Sequence, residues 1–156
     1  MPVHYRGTQE EVRALGCYTK LMRAADSVTA RLGPRVAAEG LTFSQFGALE
    51  ALLHLGPLCQ KELGAKLLKT GGNITLVVDN LEKRGLVRRE RQADDRRYII
   101  VSLTDEGRRL IRELFPSHAA AIAEQMGVLS PEEQEQLACL CRRLGLGSNG
   151  PAEGQR

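Results

Sequence analysis

The stretch Thr70-Gly71-Gly72-Asn73-Ile74-Thr75-Leu76-Val77-Val78-Asp79-Asn80-Leu81-Glu82-Lys83-Arg84-Gly85-Leu86-Val87 decides the fold. Ile74, Val77, Val78 and Leu81 fall at i, i+3, i+4 and i+7, the single apolar face of an amphipathic helix. Gly72, Thr75, Leu76, Asp79 and Lys83 lie on the other side. Gly71-Gly72 opens the helix. Gly85 closes it as a residue suited to the left-handed turn, with Lys83 and Arg84 at the negative end of the helix dipole.

Downstream, residues 86–92 and 97–103 read as two strands, because Tyr98-Ile99-Ile100-Val101 is rich in β-branched and aromatic residues. The polar segment Gln92-Ala93-Asp94-Asp95-Arg96 turns between them. Between Lys83 and Arg97 there are seven cations and three acids, a net charge of +4, whereas the whole 156-residue chain carries +3. A near-neutral body with one dense basic hairpin suits a localised polyanion. Asp95 stands two residues before Arg97, close enough on a tight turn for its carboxylate to orient the guanidinium, a bidentate task for which lysine is unsuited.

Upstream, residues 60–68 read as a short helix. Thr42 and Gln45 form a capping box for a helix that carries Phe46, Leu49, Leu52 and Leu53 and stops at Gly56-Pro57. Two short helices joined by a tight turn, the second with a polar outer face, form a helix-turn-helix. The second helix of such a pair enters the major groove of DNA with its N-terminal residues at base edges. Asn73 offers a donor and an acceptor there, Thr75 a hydroxyl and a methyl.

Long helices flank this lobe. Residues 9–32 carry two apolar stripes, Val12/Leu15/Thr19/Met22 and Leu21/Ala25/Val28/Leu32, before Gly33-Pro34, where the missing proline N–H predicts an interruption or kink. Acids at Asp105 and Glu106 open a helix expected to reach about Gly127, with a kink at Pro116. Ser130-Pro131-Glu132-Glu133 opens another, whose apolar face is Leu137, Leu140, Cys141 and Leu144. Two stripes on the first helix and one on the last exceed what a small lobe covers, so a C2 dimer is expected. Residues 147–156 read as a flexible tail.

Other classes fit poorly. No apolar run is long enough for a membrane span, and the polar N-terminus shows no secretory signal, which suggests a cytoplasmic protein with no membrane partner. There is no Trp, so stacking on single-stranded bases is disfavoured. There is no G-x-S-x-G, no phosphate-cradling glycine loop and no strand–helix alternation, so an enzyme is not expected; the least poor version would be a small cysteine-dependent redox enzyme. Of Cys17, Cys59, Cys139 and Cys141 none forms C-x-x-C. No further ligand stands at metal spacing from Cys139-x-Cys141, so neither metal nor cofactor is expected.

Leu41-Thr42-x-x-Gln45-Phe46, Glu62-Leu63, Thr70–Thr75, Val78–Val87, Asp95-x-Arg97 and Leu103-Thr104-Asp105-Glu106-Gly107 together resemble the core of MarR-type transcriptional regulators, over about residues 10–145. The resemblance implies a mainly α-helical winged helix-turn-helix with a small β-hairpin wing. Residues 42–103 would form the DNA-binding lobe, and residues 9–39 and 104–146 the intertwined helices of a homodimer. It implies binding to a palindromic double-stranded operator and repression relieved by a ligand or by oxidation. The base-reading helix maps onto residues 71–84 and the D-x-R wing element onto Asp95 and Arg97. Many relatives carry Ser where this chain has Gly71.

DNA contacts are therefore expected from Thr70, Gly71, Gly72, Asn73, Thr75, Leu76, Asn80, Lys83, Arg88, Arg91, Asp95, Arg96 and Arg97. Leu114-Phe115-Pro116-Ser117-His118 with Ile122-Ala123-Glu124 resembles a subgroup that includes quinone- and phenol-responsive regulators. A small aromatic inducer is accordingly the favoured signal, with Tyr18, Phe46, His54 and His118 as expected liners of its cavity. Oxidation is the alternative. Cys17 lies near the start of the first helix, the neighbourhood in which peroxide-sensing members carry a reactive thiol, but its spacing to Arg23-Ala24 departs from their pattern and its one near cation is Lys20 a turn on; a small buried hydrophobe is the other reading of this residue. Cys59, at a helix start, is the second thiol candidate.

Overall fold

A computed structural model of the chain describes residues 4–68 and 71–147. The elements are α1 (Gln9–Ala38), α2 (Phe43–Leu55), β1 (Leu58–Cys59), α3 (Gln60–Lys66), α4 (Gly71–Lys83), β2 (Val87–Arg91), β3 (Ile99–Leu103), α5 (Asp105–Met126) and α6 (Pro131–Leu146). The architecture is mainly helical with one small antiparallel sheet. The chain divides into two units, Met1–Ala119 and Ala120–Arg156. Thr70 and the expected tail beyond Gly147 lie outside the described residues.

The first unit holds the core. Leu49 and Leu52 of α2, Leu63 of α3, Ile74, Val78 and Leu81 of α4, Val87 and Val101 of the sheet and Ile111 of α5 are almost completely buried together. The apolar face read from the sequence of α4 is therefore the one packed inward, and its opposite side is left outward. At about 25 cal/mol per Å² of apolar surface, this cluster is the main favourable term holding the helix-turn-helix to the sheet.

Helix starts follow the expected chemistry. Thr42 Oγ1 accepts from Gln45 N–H at 3.1 Å and Gln45 Oε1 accepts from Thr42 N–H at 3.0 Å. Ser130 and Glu133 repeat the reciprocal pair at α6. Gly85 takes φ +72° at the end of α4.

Four features depart from the sequence reading. First, α1 does not stop at Gly33-Pro34 but continues to Ala38. Pro34 removes only one backbone donor, and Leu32 and Val36 on either side of it are the buried residues of this helix, so packing outweighs the lost bond. Arg84 Nη1 also donates to the Gly40 carbonyl at 2.9 Å, satisfying the chain just past the helix end. Second, the sheet has three strands in the order β1-β3-β2, with Leu58 opposite Val101 and Cys59 opposite Ile100. A two-residue strand has no period to detect and exists only because β3 offers it a free edge. Third, α3 ends at Lys66 rather than at 68. Leu68 takes φ +54°, a left-handed conformation that no helix continues.

Fourth, the wing strands are shorter than expected, 87–91 and 99–103, with Val87 opposite Leu103 and Arg91 opposite Ile99. The residues lost from the strands form the turn. Tyr98 N–H donates to the Asp95 carbonyl at 3.1 Å and Gln92 N–H to the Tyr98 carbonyl at 3.0 Å.

Two contacts join the wing to α5. Thr104 Oγ1 donates to the Gly85 carbonyl at 2.6 Å and accepts from Gly107 N–H at 3.1 Å. Gly107 is buried against the backbone of Leu86, so close that a Cβ there would overlap the Leu86 carbonyl oxygen. Backbone cannot yield as a side chain does. Gly107→Ala is therefore expected to destabilise the protein by about 2–3 kcal/mol, measured by urea unfolding. A loss below about 0.5 kcal/mol would show that α5 is not seated on Leu86.

Candidate nucleic-acid interface

The outward side of α4 presents exposed Gly72, Asn73, Thr75, Leu76 and Lys83, with Asn80 half-buried beside them. Apolar packing of Ile74, Val78 and Leu81 leaves those side chains no inward alternative. Thr75 Oγ1 accepts from Gln60 Nε2 at 3.1 Å, which ties the start of α4 to α3. The helix N-terminus contributes the partial positive charge that attracts phosphate.

The wing tip is built around Arg97. Asp95 Oδ1 accepts from Arg97 Nε and from its backbone N–H, each at 3.0 Å, and Asp95 Oδ2 accepts from Nη2 at 2.8 Å. The expected bidentate pairing is thus present, with an added bond to the backbone that fixes the turn itself. The Arg97 side chain is 87% exposed, so it is oriented without being buried. Arg97 holds the Asp95 carboxyl below its ordinary value, by the side-chain bonds first and the backbone bond second. The pair therefore stays charged throughout the neutral range.

The other wing cations divide by role. Arg91 Nη1 donates to the Arg96 carbonyl at 2.9 Å, so Arg91 braces the turn. Arg88 and Arg96 are exposed.

Arg89 was not among the expected DNA contacts, and it carries the join between wing and helix. Its Nη2 pairs with Asp79 at 2.6 Å and Glu82 at 3.0 Å, and Glu82 Oε2 accepts the Arg89 backbone N–H at 3.0 Å. Asp79 and Glu82 lie one turn apart on α4, which was the available signal in the sequence. The hydrogen bond from Arg89 holds the Glu82 carboxyl below the ordinary glutamate value of 4.5. The contribution of this pair is complete above that value and is lost only as pH falls through the lowered one. Arg89 also offsets one of the two negative charges that Asp79 and Glu82 place on α4.

The four expected ligand liners do not converge as one group. Phe46 and His118 meet with ring centroids 4.3 Å apart and planes tilted by 49°, both buried, and His118 Nδ1 is buried with no hydrogen-bond partner. His54 is exposed and meets Phe115 edge-on at 4.7 Å. Tyr18, 62% exposed on α1, takes part in neither ring pair.

Cys17 is exposed in the single chain. Its neighbours Leu15 and Met22 are exposed too, so this part of α1 has no core of its own to enter. Cys141 is exposed with the whole apolar face of α6. Cys59 is half-buried on an open cleft of about 460 Å³ that it lines with Lys61, Glu62, Gln92, Tyr98 and Ile100. None of the four expected ligand residues borders that cleft. Among the described residues no cluster of His, Cys, Asp and Glu could hold a metal ion. No helix among them is long and apolar enough to cross a membrane.

A three-stranded sheet whose clamped arginine flanks an outward helix of a helix-turn-helix defines a winged-helix DNA-binding protein. A sequence model described as the MarR family matches residues 39–97. The HTH-type transcriptional regulator MhqR of Bacillus subtilis is 36% identical over 86% of this chain and 92% of its own length. The MarR family regulator Sco3205 of Streptomyces coelicolor, solved in complex with DNA, matches with a TM-score of 0.81 and 26% identity, over 96% of this chain and 94% of its own. BpsR of Bordetella bronchiseptica, whose DNA binding is regulated by 6-hydroxynicotinic acid, matches with a TM-score of 0.76 and 25% identity, over 83% of this chain and 98% of its own. The chain belongs to the MarR family: it is a DNA-binding transcriptional regulator and not an enzyme.

Two measurements follow from this geometry. Arg97→Ala is expected to weaken binding to a specific duplex by about tenfold or more, Asp95→Ala by part of that, and Lys83→Ala by less than either. Similar small effects of all three would remove the wing from the interface. Arg89→Ala is expected to cost about 1–2 kcal/mol of stability, read by urea unfolding at pH 7, and to weaken specific and non-specific DNA binding together. Unchanged stability would mean that Arg89 does not hold the wing.

Proposed function

We propose that this regulator is a homodimeric repressor that holds a palindromic operator until a small aromatic ligand changes the spacing of its two recognition helices. The observation that carries the DNA part is the exposed Arg97 clamped by Asp95 beside the outward face of α4. A pre-oriented guanidinium suits the narrow, negative minor groove next to the major groove that α4 enters. In this reading residues 42–103 form the DNA-binding lobe and residues 9–39 and 104–146 the dimer helices. Asn73, Thr75 and Asn80 face bases, while Gly71, Gly72, Lys83, Arg88 and Arg96 approach the backbone. The protein acts in the cytoplasm, where its DNA is.

The dimer is supported by apolar surface that one chain leaves in water. On α1, Leu15 and Met22 are 39% and 42% exposed; on α6, Leu140 and Leu144 are 58% and 65% exposed and no residue is buried. Half-sites on a palindrome lie about 34 Å apart, so a dimer whose helices change their separation loses the match. The unmodified chain should therefore sediment as a dimer, and Leu140→Glu with Leu144→Glu should abolish dimerisation and operator binding together. A stable monomer of the unmodified chain in dilute ultracentrifugation would falsify the dimer.

The ligand part is supported by the buried, unpartnered Nδ1 of His118 against Phe46. A phenol hydroxyl or aromatic carboxylate would satisfy that nitrogen while its ring packs on Phe46. The regulation of BpsR by a hydroxylated aromatic acid agrees with this chemistry. A thiol switch is the second reading, favoured by the exposure of Cys17, with Cys59 as its weaker candidate. Footprinting on the protein's own upstream DNA, with phenols, quinones and peroxides added, separates the two. Release by a phenol is expected to survive Cys17→Ser and to be lost in His118→Ala. Loss of every response in Cys17→Ser would establish the thiol instead.

A further inference from the structure

Leu76 is the large apolar side chain that α4 turns outward, and it is 60% exposed. Its neighbours on that side are polar or small: Gly72, Asn73, Thr75 and Lys83. Val77 packs against the core, and Asp79 is paired with Arg89. Leu76 therefore serves neither packing nor charge within the chain.

We propose that Leu76 reads the C5-methyl group of a thymine in the major groove, beside the base read by Asn73. This rests on the reading of α4 as the base-facing helix. The exposed cations of this lobe, Lys83 on α4 and Arg88, Arg96 and Arg97 on the wing, suit a polyanion rather than an apolar protein face. The apolar group that a duplex presents in its major groove is the thymine methyl, and an aliphatic side chain recognises it. An isobutyl group makes no hydrogen bond, so it gains nothing from a phosphate or from the edge of a G·C pair.

Spacing supports the pairing. Asn73 and Leu76 stand three residues apart, on one face of the helix and about 4.5 Å apart along its axis. Successive base pairs are separated by about 3.4 Å. The amide and the isobutyl group thus reach bases one to two steps apart, an adenine edge for Asn73 and a thymine for Leu76. Thr75, between them, has its hydroxyl engaged by Gln60. That leaves the Thr75 methyl and the larger Leu76 side chain as the apolar groups at this end of the helix.

The test uses the full-length protein and a duplex that it selects from a random pool. Each thymine is replaced in turn by deoxyuridine, which deletes the methyl and keeps the pairing. At one thymine of each half-site the replacement should weaken binding about fourfold, the worth of one buried methyl group. In Leu76→Ala, a substitution at an exposed position, that penalty should disappear while the penalties for changing the neighbouring A·T pair remain. Three outcomes overturn the proposal: no thymine sensitive to methyl loss, an equal penalty in both proteins, or a uniform weakening of all duplexes by Leu76→Ala. Asn73→Ala on the same panel tells this failure from that of the underlying reading. If Asn73→Ala relaxes base preference while the methyl penalty survives in Leu76→Ala, only the assignment of Leu76 falls. If neither variant alters base preference, α4 does not face the bases.

Discussion

Asp79 and Glu82, one turn apart on α4, hold a single guanidinium on the first wing strand, and the orientation of everything that meets DNA depends on that join. Arg89 is half-buried, so its two ion pairs are less screened than ordinary surface pairs. Glu82 grips both the Arg89 side chain and its backbone N–H, so strand β2 is fixed in position and in rotation relative to α4. Helix α4 and the hairpin are therefore joined by side-chain and backbone bonds together.

Around that join the lobe is closed by polar bonds at its corners. Arg84 donates to the Gly40 carbonyl after α1, Thr104 bonds Gly85 at the start of the wing, and Gln60 bonds Thr75 between α3 and α4. Each ties the end of one element to another, at positions where helix termini leave backbone groups without intrahelical partners or where a turn must be held. The buried leucines, isoleucines and valines supply cohesion, and these bonds supply angle. A DNA-reading surface needs both, because its contacts depend on the orientation of side chains that have no packing of their own.

The wing tip shows the same division on a smaller scale. Asp95 spends both oxygens on Arg97, one of them shared with the backbone of the turn. The arginine is thereby held in one direction while remaining in water. Arg91 bonds the Arg96 carbonyl and so supports the turn from the opposite strand. Of the basic residues in this segment, several thus serve the shape of the hairpin, and the segment's net charge overstates the number of cations left to meet phosphate.

The sequence by itself determined the local elements. The 3.6-residue period of Ile74, Val77, Val78 and Leu81 set the buried face of α4. The side-chain chemistry of Thr42, Gln45, Ser130 and Glu133 set two helix starts, and the D-x-R spacing set the clamp at the wing tip. These rest on interactions between residues a few positions apart, which any window of sequence contains. Tertiary structure alone decided the rest. Strand β1 exists because β3 has a free edge. Helix α1 passes Pro34 because Leu32 and Val36 are buried. Arg89 faces Asp79 and Glu82 because the wing folds back on α4, and His118 meets Phe46 across more than seventy residues. Such contacts depend on which surfaces pack together, and pairing partners that distant leaves no period in the chain to read.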